Sequence, residues 1–504
     1  MKLKLTSDKK FFKISSIDSP IEYEQLRTIL TRKVANYRFI PAVKSGAWSG
    51  DISFIDSQDR IPVGLYQFVE DNMTKYKYSV EFEGLDDLFD DDIDYDEFVI
   101  WCNELFKDAE KKPRDYQLDG AFNILKNKRC CSLIATNGGK TLVTFIVFTY
   151  LLRVKNIKKI LMVVPNTDLV IQATNDFYEY NHTIKTNLVI QQIYSGTERS
   201  VGCNIYIGTY QSLCKFDESY FKDFSCVMID EVQSAKSESV SKICKKLPAK
   251  CEYRIGCSGT IPTDGAEYLT IISNTGPIVN TISNEVLINK GVSTPVKITV
   301  IKMNYVSDEV KNKFYELSKT ADGKTCYETE KKYVITNTKR LKFVTDLIKS
   351  STKNSLVLFH RIEYGKLLYK TILNAKKTNV FYIDGKVKIE DRSDIKESLE
   401  NNTNVTLIAS YGTFAVGISV NRINNIFLTE SFKSQVKILQ SLGRGLRLHK
   451  DKDMLRFIDL VDDFTYDTSY GFKYVNHLFK HHKERLRIYK QENFDVEIRN
   501  VNLG

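Results

Sequence analysis

No two of the ten cysteines in this 504-residue chain are spaced as CxxC. Several of them (Cys130, Cys131, Cys226 and Cys257) fall inside apolar runs that read as buried strands. Free thiols in a reducing compartment are therefore expected, not a disulfide frame or a zinc site. No apolar run approaches the ~18–20 residues of a membrane span; the longest, after Lys140, is interrupted by Thr144 and Thr149. The opening MKLKLTSDKKFFKI holds no hydrophobic core of a secretory leader. A cytoplasmic protein without membrane attachment is the expectation. Proline is absent beyond Pro295, and no internal repeat is visible. Basic residues are absent from residues 83–97, where nine acidic ones stand (EGLDDLFDDDIDYDE). Net charge is +10, so that tract leaves +19 on the remaining chain. A basic body with one acidic segment suits a polyanionic partner such as nucleic acid, although charge alone also fits an ordinary basic protein.

What is present centres on residues 129–153, RCCSLIATNGGKTLVTFIVFTYLLR. An apolar run reads as a short strand, Thr136, Asn137, Gly138 and Gly139 as a turn, and Lys140 and Thr141 as the start of a buried helix. That is the context a phosphate-binding loop needs. Backbone N–H groups of the turn can point at phosphate oxygens, and the helix N-terminus adds its positive dipole end. Lys140 would neutralise the β- and γ-phosphates, and the Thr141 hydroxyl would hold Mg²⁺. The general pattern GxxxxGK[ST] wants glycine where Ile134 stands, so an ordinary strand–turn–helix with a surface lysine is the plain alternative.

Residues 1–82 read as a small α+β unit with a helix over 20–33 and the run YRFIPAVKSGAWSGDISFID over 37–56. Its aromatics could stack bases while Arg38 and Lys44 meet phosphate. We read most of Tyr37, Phe39, Trp48 and Phe54 instead as core, with the cations outside. Residues 83–110 form an acidic, solvated linker and a helix over 94–107. From residue 111 strand and helix signals alternate. Strands are expected at 133–135, 160–164, 205–208, 226–229 and 254–257, then at 356–359, 380–383, 405–409, 426–429 and 456–460. The class is α/β: two tandem parallel-sheet lobes, 111–282 and 283–466, covered by helices. Residues 467–504 are a short, basic helical extension, with Lys480, Lys483, Arg485, Arg487 and Lys490 away from its apolar side. His477, His481 and His482 lack carboxylate or cysteine companions and are assigned to a basic helix face near nucleic acid, not to a metal.

After the strand CVMI come Asp230 and Glu231, a carboxylate pair at the end of a parallel strand, where α/β sheets bind ligands. Phosphoryl transfer to water needs a metal-holding carboxylate and a group that orients the water. Asp230 suits the first role and Glu231 the second; solvated carboxylates are the bland alternative. Near the other end stands QSLGRGLR, residues 440–447. On a helix, Arg444 and Arg447 are three apart and share a face. Presented to a γ-phosphate they would act as arginine fingers.

The order of these motifs resembles the superfamily-two helicases and translocases over residues 111–464. The resemblance implies two RecA-like lobes and a set of roles. RDYQ, with Arg114 and Gln117, matches the adenine-recognising element, and IATNGGKT the phosphate loop. VVPNTDLVIQ, with Pro165 and Gln172, and GTYQSL, with Thr209, match elements that touch the nucleic-acid backbone. DEVQ is the acidic motif, with Gln233 where histidine is usual. SGT, with Ser258 and Thr260, couples hydrolysis to lobe movement. FHR, with Arg361, the loop ending at Arg392, and SYGTFAVGIS, with Ser410, would lie along nucleic acid, and Gly417 at the nucleotide. Ser419 replaces an acidic or amide residue. QSLGRGLR is the arginine-finger motif.

Within the superfamily, the run YRF-x-P-(x)₄-G-x-W-x-G, the ending GISV and the tail YVNHLFKH(x)₂-ER-(x)₂-Y resemble phage recombination helicases. That likeness implies an ATP- and Mg²⁺-dependent DNA helicase acting without sequence preference on Holliday junctions, D-loops, R-loops and stalled forks. It implies a duplex-binding N-terminal unit, with an RNA–DNA hybrid as a further candidate partner. A monomer is expected, in the host cytoplasm if the chain is phage-encoded. An RNA helicase, a duplex translocase that parts no strands, and a nucleic-acid scaffold using ATP as a conformational switch stay open.

Overall fold

The structure is a computed structural model. It describes the chain except for Asn36, Asp90, residues 198–201 and 236–237, residues 376–378, Lys388, residues 414–419, Lys433, residues 468–470, Phe472 and Gly504. The chain divides into two compact units, Met1–Ile282 and Ser283–Gly504. Each is built on a seven-stranded parallel sheet, so the α/β class with two RecA-like lobes holds.

In the first unit the strand order is Ile278–Ile282, Arg129–Ile134, Tyr253–Ser258, Cys226–Asp230, Ile160–Val164, Ile205–Thr209, Ile190–Ile193. Every neighbouring pair runs parallel. All residues of Ile160–Val164 and Cys226–Asp230 are buried. Covering both faces of a sheet makes its central strands read as continuous apolar runs. The helix Lys140–Arg153 is buried at every position from Leu142 to Leu151, which is why its sequence carries no polar stripe. Among the described residues no helix is long and apolar enough to cross a membrane.

A smaller sheet, in the order Arg60–Pro62, Phe11–Ser16, Lys2–Leu5, Glu81–Glu83, lies within the same unit. It packs on the helix Gly265–Asn274: Leu269 and Ile272 share one core with Leu3, Phe12, Leu26 and Val69. The approach at Gly64 is backbone to backbone, for a Cβ there would sit 2.0 Å from the Ile272 carbonyl oxygen. The buried Arg129 guanidinium donates to the Lys9 carbonyl at 2.6 Å. Two expectations fail in this region. The aromatics expected as core are largely outside it: Phe39 is 57% exposed, Tyr37 and Trp48 are half-buried, and only Phe54 packs against the cluster. Tyr37 and Phe39 sit on a three-residue 3₁₀ turn and Trp48 in the irregular chain after the four-residue helix Pro41–Lys44, stretches too short to bury an apolar face. The acidic tract, in turn, is not a solvated linker. Leu88, Phe89 and Ile93, interleaved with its carboxylates, are buried, and Asp91 pairs with Lys155 at 2.9 Å.

In the second unit the order is Val380–Ile383, Thr406–Ser410, Ser355–Phe359, Asn425–Leu428, Leu455–Asp463, Val296–Tyr305, Asp495–Leu503, all parallel. The last strand comes from the expected helical tail, which therefore belongs to the lobe's sheet rather than extending from it. The helix His477–Gln491 is likewise packed, with Leu478, His482, Arg485, Ile488 and Tyr489 buried. Positions 478, 482, 485 and 489 recur at helical spacing, so Arg485 and His482 lie on the inward face with Leu478. The basic-face reading of these two is thereby corrected. No cluster of metal-ligating side chains occurs among the described residues.

Candidate nucleotide and nucleic-acid site

The strand Arg129–Ile134 delivers the chain to a loop that turns back through two left-handed residues, Asn137 (φ 74°) and Gly139 (φ 80°). Gly139 is the N-cap of the helix Lys140–Arg153. A Cβ at Gly138 would lie 2.6 Å from Ile134 Cγ2, and one at Gly139 would lie 2.1 Å from Gln117 Nε2. The loop thus needs both glycines, one for room and one for room and conformation. Gln117 reaches across from the helix Asp115–Asn127. Its Nε2 donates to the Gly138 carbonyl at 3.0 Å, and its Oε1 accepts from the Arg114 N–H at 2.9 Å. Thr136 and Thr141 stay half-exposed beside the loop.

Lys140 is the centre of this arrangement. Its Nζ lies 2.6 Å from Asp230 Oδ1 and 2.6 Å from Glu231 Oε1. Burial pulls the ammonium's pKa down, but the two carboxylates outweigh it and hold Lys140 above its ordinary value. Burial pushes the Asp230 carboxyl up, with Lys140 opposing and Glu231 adding to the rise. Glu231 stands in the left-handed region (φ 48°), where its N–H donates to Asp230 Oδ1 at 2.9 Å. The Gln233 amide donates to Glu231 Oε2, and the Ser258 hydroxyl donates to Gln233 Oε1. Ser258 Oγ in turn accepts from the Thr260 N–H at 3.0 Å. A continuous polar chain therefore runs from the lysine through Glu231 and Gln233 to the strand end at Ser258. Thr260 is followed closely by the helix Gly265–Asn274, on which the N-terminal sheet rests.

Of the residues assigned to nucleic acid, Pro165, Thr209, Arg361 and Ser410 stand at the C-terminal ends of parallel strands. Pro165 follows Ile160–Val164, and Thr209 ends Ile205–Thr209, its Oγ1 lying 3.1 Å from Ser212 Oγ. Gln172 is exposed on the helix Thr167–Ile184. In the second unit Ser410 ends Thr406–Ser410, bonded to the Thr413 hydroxyl at 2.8 Å. Gly417, and the side chains of Arg392 and Arg444, lie outside the described residues. The helix Gln435–Gly445 includes position 444 but stops before 447, so the two arginines are not on one helical face as their spacing suggested. Arg447 is half-buried, and burial lowers its pKa against the charge of Glu400.

Two acidic residues that sequence reasoning passed over govern the FHR segment. Glu430 is 4% exposed, and its Oε2 accepts from the N–H groups of His360 (2.5 Å) and Arg361 (3.0 Å). Glu328, on the helix Gly323–Thr336, pairs with the Arg361 guanidinium. A phosphate drawn to Arg361 would compete with Glu328 for the guanidinium. Glu328→Gln should therefore tighten nucleic-acid binding roughly two- to fivefold, the worth of a part-exposed pair. It should also steepen the log–log salt dependence by about 0.7–0.9, one further phosphate contact. Fluorescence-anisotropy titrations across a salt series check both; unchanged affinity and slope would show that Arg361 meets no phosphate.

Three family models match in chain order. "DNA helicase UvsW, N-terminal" covers residues 7–83, "Type III restriction enzyme, res subunit" covers 110–263, and "Helicase conserved C-terminal domain" covers 339–449. The ATP-dependent DNA helicase uvsW of Enterobacteria phage T4 is 29% identical over 498 residues, 95% of this chain and 96% of that protein. The chain is an ATP-dependent helicase of superfamily two. The crystal structure of T4 UvsW matches the helicase with a TM-score of 0.51 and 26% identity, over 100% of both chains. Dbp5 of S. cerevisiae, solved with RNA and ADP BeF3, is 14% identical and shares the fold alone, with a TM-score of 0.52 over 81% of the helicase and 95% of Dbp5.

Proposed function

We propose that this helicase hydrolyses ATP with Mg²⁺ to remodel branched DNA: Holliday junctions, D-loops, R-loops and stalled forks. The observation that carries the reading is Lys140 held between Asp230 and Glu231, where the strand Cys226–Asp230 ends. Open α/β sheets bind ligands at that edge. The β- and γ-phosphates of ATP would draw Lys140 from the carboxylates, with residues 136–139 cradling them and Arg114 and Gln117 at the base. The donors then left, the Asp230 carboxylate and the Thr141 hydroxyl, are hard oxygens that suit Mg²⁺, which would screen phosphate charge. Glu231 would orient the attacking water, and Arg444 and Arg447 would stabilise the charge that develops. The contact from Glu231 through Gln233 to Ser258 offers a route by which hydrolysis is felt beyond the site.

Grip on phosphate by Pro165, Gln172, Thr209, Arg361, Arg392 and Ser410 carries no base sequence. The exposed Phe39, with Tyr37 lying 4.7 Å from Lys33 Nζ, supports a duplex-binding role for the N-terminal region. Full-length likeness to a phage DNA helicase supports DNA over RNA. Each base-pair step costs about 1.4 kcal/mol to part, within reach of repeated ATP cycles. We place the enzyme as a monomer in the cytoplasm of the host. The test is ATP-driven unwinding of a Holliday junction, an R-loop and a tailed duplex. Junction and R-loop should be resolved several-fold faster than the tailed duplex. Equal rates would sink the branched-DNA reading, and unwinding confined to RNA duplexes would favour an RNA helicase.

A further inference from the structure

The helix Gln435–Gly445 ends at a glycine with no space beside it: a Cβ at Gly445 would meet Ile426 Cδ1 at 2.7 Å and Leu455 Cδ2 at 2.8 Å. The last carbonyls of a helix have no intrahelical donor. Here the donor is Lys452, whose side chain returns from the following loop. Its Nζ donates to the Gly445 carbonyl at 2.7 Å and to the Asn421 carbonyl at 3.0 Å. Asn421 is itself fixed, its N–H donating to Glu400 Oε1 at 2.6 Å. The neighbouring Arg422 donates to the Glu400 carbonyl at 3.1 Å and pairs with Asp451 at 2.9 Å. From the opposite side Thr294 holds the chain leaving the helix. Its N–H donates to the Leu446 carbonyl at 2.7 Å, and its hydroxyl donates to the Arg447 carbonyl at 3.0 Å.

Lys452 is 5% exposed and makes no ion pair among the described residues. A buried cation without a carboxylate is costly, and a chain seldom keeps one for packing alone. A positive charge at the negative end of a helix recovers part of that cost. We infer that Lys452 is a positioning residue for the hydrolytic step, its ammonium locking the end of the helix that carries Arg444, and with it Arg447, to the chain at Asn421. The inference rests on the proposed role of Arg444 and Arg447 in ATP turnover. Burial pulls the Lys452 pKa down to about 8, with Glu400 opposing and Arg447 adding to the fall. The charged or titratable groups around it are Glu400, Arg447, Arg422, Asp451 and His449. As pH rises through about 8 the ammonium is lost, its charge-assisted bonds to the two carbonyls weaken, and the lock loosens.

The test is DNA-stimulated ATPase kinetics on the full-length protein, wild type against Lys452→Met, across about pH 7 to about pH 9.5. Misplacing a catalytic group by about 1 Å costs up to 10²-fold, so kcat of K452M should fall roughly 10- to 100-fold at neutral pH. KM for ATP should stay within about twofold, since the phosphate loop is untouched. Wild-type kcat should decline across the range, and the decline should be absent in K452M. A wild-type plateau, or K452M kcat within about twofold of wild type, overturns the proposal. Should K452M fail to fold, the wild-type profile alone decides by the same criterion. Arg447→Ala, measured alongside, separates the two readings. If it keeps full turnover, the arginine assignment has failed; if it loses turnover while K452M keeps it, only the role of Lys452 has.

Discussion

Replacing Lys140 with alanine is expected to abolish ATP turnover and leave DNA affinity within a few-fold of the parent. Lys140 is the cation of the proposed phosphate loop, 2.6 Å from each of the carboxylates that would hold the metal and the water. Removing a preorganised charge from where negative charge develops costs about 10²–10³-fold in kcat, and more where that charge also holds substrate. DNA contacts are assigned to other loops, so binding should survive. ATPase rates with and without DNA, beside anisotropy titrations, check the two halves; joint loss would show that the sites are not separate. A stability effect of defined sign accompanies the kinetic one. Without Lys140, burial and the Glu231 charge raise the Asp230 pKa further, opposed only by the hydrogen bond from the Glu231 N–H. A carboxyl whose folded pKa is raised binds more protons folded than unfolded, so its destabilising effect grows as pH rises. The gap in Tm between K140A and parent should therefore be widest at neutral to alkaline pH and narrow as pH is lowered toward the carboxylate range. A gap independent of pH would mean that Asp230 does not carry it.

The strand–turn–helix around Lys140 was readable because everything that forms it is local. Strand, glycines, lysine and buried helix follow one another within residues 129–153, and the apolar run extends round the whole helix because the helix is buried on all sides. Lys140 and Asp230–Glu231 could be joined at a distance because each follows or ends a recognisable strand of an alternating α/β pattern. The partners that hold these groups were not readable. Glu328 meets Arg361 across 33 residues, Glu430 meets the same segment across 70, and Lys452 serves Gly445 from a loop with no motif of its own. A lone acidic or basic residue carries no mark of its partner until the chain is folded.

The fold shows the same division. Central strands such as Ile160–Val164 are apolar throughout and declared themselves, whereas the edge strands other than Val380–Ile383 did not, nor did the inner strand Val296–Tyr305, whose burial alternates. Ile190–Ile193, Ile278–Ile282 and Asp495–Leu503 border their sheets and carry Gln191, Asn280 and Asn500 inside them. A half-covered strand loses the continuous apolar signal. Reading the aromatics of 37–56 as core failed for a related reason: composition reports what could be buried, not whether an element is long enough to bury it.

Arg485 is where the two readings of the tail predict different numbers. As part of a solvated basic face, it could be replaced at almost no cost. In the structure it is fully buried with Asp459, joined by bonds of 2.8 and 2.9 Å, and it also donates to Ser431 Oγ at 3.0 Å and the Phe432 carbonyl at 2.9 Å. Tyr489 donates to the same carboxylate at 3.0 Å. Removing one partner leaves an uncompensated buried charge, which costs about 3–5 kcal/mol. Arg485→Met should therefore destabilise the second unit by that amount, whereas Lys483→Met, on the exposed side of the same helix, should stay within about 0.5 kcal/mol of the parent. Adding Asp459→Asn to Arg485→Met should cost far less than the sum of the single changes, because the second substitution removes the stranded charge. Both tryptophans, Trp48 and Trp101, lie in the first unit, so urea unfolding of the second is followed by far-UV circular dichroism. If R485M unfolds at the same urea concentration as K483M, the pair contributes nothing, and the helix His477–Gln491 is held to the sheet by its apolar side chains alone.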